Sequence, residues 1–324
     1  MLKEVCFTPQ VFDRLHLDIS NWKELANLLQ VICESGYVLA LNNKDWYRCV
    51  RDSLNTLEPK VQQRIEGIFS VLKDRDRIAG QPKIGQSLTG ENKEEDWLKL
   101  AVQLNDVRKI QEIVATEAFG GKAMGIDELE DINIVARFGV TGSHTFPQTE
   151  RDIRQAFMGF LPYARKVTLI DPYFNLGDPR YQKTLKILAD TFMERRGERD
   201  RGTILVHCRW HPQYEKEYAK GTGESRRSDT ERWQRCLASV YQEYHHDVEL
   251  NAWEELRKKM HDRYIITNQC GVVTGAGTDV DPNKESEWSL KDFTELHSIR
   301  SQFTENANVY KLKCIVTRES IKIR

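Results

Sequence analysis

The chain has 324 residues, 40% apolar and 30% charged, the composition of an ordinary folded protein and not of a disordered or fibrous one. Its 48 basic and 49 acidic side chains nearly cancel, so no global positive field draws in nucleic acid and any basic groove is local. At about 150 residues per domain, the length suggests two domains.

Seven scattered cysteines (Cys6, Cys33, Cys49, Cys208, Cys236, Cys270 and Cys314), with no C-x-x-C pair, read as reduced core residues. The opening MLKEVCFTPQ lacks the apolar core of a signal peptide, and no window approaches ~18 consecutive apolar residues, so a cytoplasmic protein without a transmembrane segment is expected.

In chain order, SNWKELANLLQVICESG spaces Leu25, Leu28, Leu29 and Ile32 for a helix, with Gly36 as a left-handed stop. YVLAL follows as a strand, and Pro59 opens a helix carrying Val61, Ile65, Phe69 and Leu72 on one face. Residues 79–95 lose periodicity and read as an exposed loop before the helix EEDWLKLAVQL and the strand KIQEIVAT.

From about residue 130 onward INIVARF, VTLID, TILVHC, VEL, RYIIT, GVVT and VYKLKCIV read as strands. Helices between them start at Thr149, at Asp178-Pro179, at the capping box Ser228-Asp229-Thr230-Glu231 and at Asn251 with Glu254. The basic runs Arg195-Arg196 with Arg199 and Arg201, and Arg226-Arg227, fall in expected loops and read as solvated charge. The expected fold is α/β, a mixed, mostly parallel sheet flanked by helices over residues 126–324, preceded by a separate α/β or mainly helical N-terminal domain over residues 1–125.

The chemistry concentrates in MHDRYIITNQCGVVTGAGTD, where His261, Arg263, Asn268 and Gly275 fall at offsets 0, 2, 7 and 14. If His261 ends a helix and opens RYIIT, strand alternation puts His261 and Arg263 on one side and Asp262 on the other. A neutral imidazole could then attack phosphorus while the guanidinium holds the non-bridging oxygens. The bland reading is a helix-to-strand corner whose His and Arg satisfy backbone carbonyls and a neighbouring carboxylate.

This spacing resembles the phospholipase D superfamily signature, H-x-K-x4-D followed by G-S-x-N. Arg263 stands at the Lys position, Asn268 at the Asp, and Gly275-Ala276-Gly277-Thr278 at G-S-x-N. The upstream RKVTLIDPYF looks like the strand and loop that open many bacterial phospholipase D-like domains, with Asp171 at the strand end. The resemblance implies a metal-independent nuclease of a bacterial antiphage defence or mobile-element system, without a cofactor. In it His261 attacks, Asn268 supports the site, and Arg263, Gly275, Gly277, Thr278 and Asp171 bind phosphate, with His207 and Arg209 as a second, weaker H-x-R. Because one motif supplies one nucleophilic His, the resemblance also implies a homodimer, and a defence role implies a protein partner in a multi-component system.

Glu285 and Glu287 lie where the family places a carboxylate that orients the His. The H-D-R triplet is also similar to phospholipase D-like domains attached to MIT modules, which bind instead of cleaving; the alternative is thus an inactive adaptor recognising nucleic acid or anionic lipid. Other signals carry less. His245-His246 beside Asp247, and His207 with His211, lack a zinc ligand set. GTGES at 221–225 is no phosphate loop. Tyr214, Tyr218, Trp233 and Tyr241 read as a core stripe.

Overall fold

The computed structural model describes residues 2–13, 19–80, 88, 93–107, 110–139, 142–194, 202–210, 224–244, 246–291, 293–304 and 306–324. The chain divides into two compact units, Met1–Val140 and Thr141–Arg324. The break falls later than residue 125 because the turn Ile126–Leu129 and the helix after it pack on the first helix of the N-terminal unit.

The N-terminal unit is α/β. Its elements are β1 (Lys3–Phe7), α1 (Ile19–Ser35), β2 (Gly36–Ala40), α2 (Lys44–Leu54), α3 (Pro59–Asp74), β3 (Ile78–Gly80), α4 (Glu94–Val107), β4 (Glu112–Ala115), β5 (Met124–Gly125) and α5 (Ile134–Phe138). The five strands are all parallel, in the order β3-β2-β1-β4-β5. β2 is buried along its whole length, as a strand covered on both faces must be. Gly36 is no left-handed stop: it opens β2, where a Cβ would sit 2.6 Å from the Lys3 carbonyl oxygen. INIVARF is helical, not extended, because Asn133 caps α5 by accepting from the Ala136 amide and outweighs the β-branched composition.

The C-terminal unit holds β6 (Ser143–Gln148), α6 (Glu150–Met158), β7 (Lys166–Ile170), α7 (Pro179–Met193), β8 (Thr203–Arg209), α8 (Glu224–Tyr244), β9 (Asp247–Glu255), β10 (Arg263–Thr267), β11 (Gly271–Thr274), β12 (Asp281–Lys291), α9 (Phe293–Ser301), β13 (Tyr310–Thr317) and β14 (Ile321–Ile323). Its nine-stranded sheet runs β14-β13-β9-β8-β7-β10-β11-β12-β6. Parallel pairing is confined to β7-β8-β9, and the flanking strands are antiparallel, so this sheet is mixed. β10 lies beside β7, which places RYIIT and VTLID in one sheet.

Thr149 and Asp178 cap α6 and α7 as their sequences indicate. Two expected helix starts are corrected. α8 begins at Glu224, upstream of the Ser228 box, so Arg226 and Arg227 lie in a helix and not a loop. Asn251–Glu255 belongs to β9, because pairing with both β8 and β13 overrides a local capping pattern. β12 has the polar sequence DPNKESEWSLK yet pairs on both edges, with Trp288 turned inward against Phe146 and Phe157, ring centroids 5.1 and 5.5 Å away.

All seven cysteines are free thiols, six of them buried, Cys236 half-buried. No helix among the described residues is long and apolar enough to cross a membrane.

Candidate functional site

The carboxyl ends of β7 and β8 meet the start of β10 and the loop after β11. In open α/β sheets, that edge is where ligands bind. Asp171 follows β7, fully buried, its amide donating to the His207 carbonyl at 3.0 Å. Its Oδ1 accepts the Tyr173 amide at 2.9 Å, an Asx turn that Pro172 favours, and its Oδ2 accepts the Thr278 hydroxyl at 3.2 Å. Arg263 Nε stands 3.6 Å from Asp171 Oδ1, while Nη1 donates to the Gly275 carbonyl at 3.0 Å. Burial raises the Asp171 pKa; the Tyr173 amide, the Arg263 charge and the Thr278 hydroxyl work against that rise.

The loop carrying Gly275, Gly277 and Thr278 is fixed from several sides. The Gly275 amide donates to the Glu287 carbonyl at 2.9 Å, Gln148 Nε2 donates to the Gly277 carbonyl at 3.0 Å, and the Thr184 hydroxyl donates to the Thr278 carbonyl at 2.6 Å. Gly277 has φ +109°, and a Cβ there would come within 3.0 Å of Asp279 Oδ1, so only glycine fits without strain. These bonds revise the expected roles. Gly275 meets Arg263 through its carbonyl, and its amide is already engaged. Thr278, fully buried, holds Asp171 instead of reaching phosphate, and Asp171 itself anchors the guanidinium.

Arg263, Asp171, Gly275, Gly277 and Thr278 are therefore brought together; His261, Asn268 and His207 are not. His261 lies in coil before β10, exposed, with no hydrogen bond or ion pair among the described residues. It borders a small crevice with Tyr264, Phe303 and Tyr310, on the side of the sheet away from Asp171. Strand alternation fails to align it with Arg263 because the strand begins only at Arg263. Asn268 follows β10 at its far end, five residues on and so ~16 Å away at ~3.3 Å per residue. There its Oδ1 accepts the amides of Arg165 and Lys166 at 2.7 and 3.3 Å, a brace for the start of β7. His207 is buried on the same side as Tyr264. The side chains of Glu285 and Glu287 are exposed, and neither is bonded to His261.

Arg209 does join the edge, next to a residue the sequence reading passed over. The exposed Tyr173 ring has the Arg263 guanidinium carbon 5.0 Å and the Arg209 carbon 5.4 Å from its centroid. Arg209 Nη2 donates to the Met260 carbonyl at 3.1 Å, and Nε lies 2.9 Å from Glu255 Oε1, which also accepts the Met260 amide at 2.8 Å. The Asp-Pro-Tyr turn carried the signal for Tyr173, since its proline fixes the turn that turns the ring outward. A second missed group is the network in which Arg180 and Lys284 each lie 3.2 Å from the buried Asp279.

The remaining motif residues are structural or lie outside the description. His246 packs on Phe192, ring centroids 4.9 Å apart, as a core histidine, and Trp233 is buried with Nε1 donating to Asn175 at 2.9 Å. Tyr241 carries the Arg318 guanidinium over its ring. Arg195, Arg196, Arg199, Arg201, His211, Tyr214, Tyr218, His245, most of residues 79–95 and residues 221–223 lie outside the described residues. Among the described residues no three His, Cys, Asp or Glu side chains are grouped to hold a metal ion.

No family model and no curated protein matches the chain. Among solved structures it aligns with TrmBL2, an archaeal chromatin protein described as showing a novel mode of DNA binding. The identity is 11%, over 92% of this chain and 96% of that one, and the TM-score is 0.26. A TM-score that low establishes no shared fold, so nothing about this site follows from it.

Proposed function

We propose that the C-terminal unit binds the phosphodiester backbone of single-stranded nucleic acid at the Arg263–Tyr173–Arg209 edge, as a phospholipase D-like recognition module and not as a nuclease. The observation that carries this reading is the pair of guanidiniums held against one exposed aromatic ring at the carboxyl end of parallel strands. A guanidinium has five N–H donors. Arg263 gives one Nη1 hydrogen to Gly275 and Arg209 one Nη2 hydrogen to Met260, while Asp171 and Glu255 lie beside their Nε atoms as ion-pair partners, so each keeps N–H groups for phosphate oxygens. Asp171 and Glu255 set the planes of these groups in advance, which lowers the entropy cost of binding. Tyr173 offers the sequence-tolerant surface that single strands use for stacking.

Cleavage is the second reading, and one observation favours it: His261 is solvent-accessible and unbonded two residues before Arg263. Against it, a nucleophilic imidazole needs an orienting partner, and the buried carboxylate at this edge serves Arg263 instead. Cleavage would also need a second histidine, from a homodimer that brings two copies of His261 together.

The test incubates labelled single-stranded DNA and RNA with the protein in EDTA, alongside anionic vesicles, comparing wild type, His261→Ala and Arg263→Ala. The binding module retains affinity in His261→Ala, loses about tenfold in Arg263→Ala and cuts nothing. Strand scission abolished by His261→Ala would replace this reading with the nuclease, and binding to vesicles alone would replace the ligand.

A further inference from the structure

On the opposite side of the same sheet, β7, β8, β10 and the end of α9 enclose a cavity of about 350 Å³ whose lining includes no Asp or Glu. His207 stands in its wall, 4% exposed, stacked on Phe303 with centroids 4.7 Å apart. Its Nδ1 accepts the Trp253 indole N–H at 2.9 Å, so the neutral ring carries its proton on Nε2. That Nε2 has no hydrogen-bond partner among the described residues, and neither does the hydroxyl of the buried Thr168 beside it. Burial and the Lys166 charge push the His207 pKa down to about 3, which keeps the ring neutral and donating at physiological pH. Two cations complete the wall. Lys166 and Arg300 form no ion pair with any carboxylate among the described residues, and the one side-chain hydrogen bond of Arg300 runs to the Thr267 carbonyl.

We propose that this cavity binds a small organic phosphate, its oxygens taken by Lys166, Arg300, Thr168 and His207 and its apolar body by Ile266 and Phe303. Four donor groups, two of them cationic, match the charge and the three terminal oxygens of a phosphate monoester dianion, whereas a carboxylate would balance only one of the two cations. Arg300 is half-buried with no carboxylate beside it among the described residues, so an anionic occupant would offset the cost of withdrawing its charge from water. The volume lies in the lower range of small-molecule sites, which suits one phosphate with a single ring and does not suit a polymer. The site is independent of the Arg263 edge, because Ile266 and His207 face away from Asp171.

Calorimetric titration with phenyl phosphate, inorganic phosphate, benzoate and phenol tests this, with the His207 imidazole resonances followed by NMR. The expected result is binding of phenyl phosphate at least tenfold tighter than benzoate, phenol or inorganic phosphate, with a shift of the His207 Nε2 resonance. Lys166→Ala and Arg300→Gln should each weaken it about tenfold, and Lys166→Arg should restore it to within about threefold. Lys166 is exposed, so its variants keep the test available if Arg300→Gln fails to fold. Undetectable binding of phenyl phosphate, equal affinity for benzoate or inorganic phosphate, binding that leaves His207 unmoved, or binding indifferent to both Lys166→Ala and Arg300→Gln would overturn the proposal.

Discussion

The two ends of β10 handle charge in opposite ways. At its start, Arg263 leans on a buried carboxylate, Arg209 on Glu255, and the backbone of the loop after β11 is held by hydrogen bonds with three other segments. At its finish, Lys166 and Arg300 line a cavity with no carboxylate among its described lining residues. An anchored guanidinium is aimed in advance, which suits the long, solvent-exposed ligand proposed for that edge. Two cations beside a hydrophobic floor suit the small anion proposed for that cavity. One five-residue strand therefore separates the two proposed anion sites, and the residues of a single linear motif are divided between its ends.

Breaking the anchored end should cost the most. Asp171→Ala leaves Arg263 facing a buried gap and should lower unfolding free energy by about 3 kcal/mol in denaturant melts, the scale for removing one partner of a buried pair. Asn268→Ala, which removes only an acceptor from two amides at the other end, should cost about 1 kcal/mol. Equal losses would erase the distinction between the two ends.

The cavity end should reveal itself through pH. His207 has a folded pKa of about 3 against an ordinary 6.5, so below that ordinary value the unfolded chain takes up a proton that the folded chain refuses. Its contribution to stability is complete above pH 6.5 and is lost as pH falls towards 3, at about 1.4 kcal/mol per pH unit. A His207→Phe variant that still folds should show a shallower acid limb by that slope, and an unchanged limb would mean the ring is not buried neutral. Gly277→Ala forces a side chain into a left-handed conformation against Asp279 and should cost about 1–2 kcal/mol. If that variant melts like wild type, the loop is less constrained than its bonds imply.

Much of the framework is legible in the sequence, because caps and apolar runs act locally. Thr149 and Asp178 cap where their neighbours indicate, and the β-branched runs from VTLID to GVVT become adjacent strands. What the sequence conceals is set by partners distant in the chain. DPNKESEWSLK is a strand only because β6 and β11 supply its hydrogen bonds, and NAWEE is extended only because β8 and β13 flank it. Within the site, Asp171, Arg263 and Thr278 do form one neighbourhood, but which of them is buried and which bonds to which is not reported by their spacing. His261 and Asn268 fit the motif by offset alone: one precedes the strand and the other follows it.

The central claim, that Arg263 and Arg209 contact phosphates, is tested most directly by the salt dependence of oligonucleotide binding. For single strands, the logarithm of affinity falls with the logarithm of salt by about 0.7 per phosphate contact. Fluorescence anisotropy of a labelled single strand across a salt series should show Arg263→Ala and Arg209→Ala each reducing that slope by about 0.7, with His261→Ala leaving it unchanged. A slope that is the same in wild type and in both arginine variants would contradict the assignment.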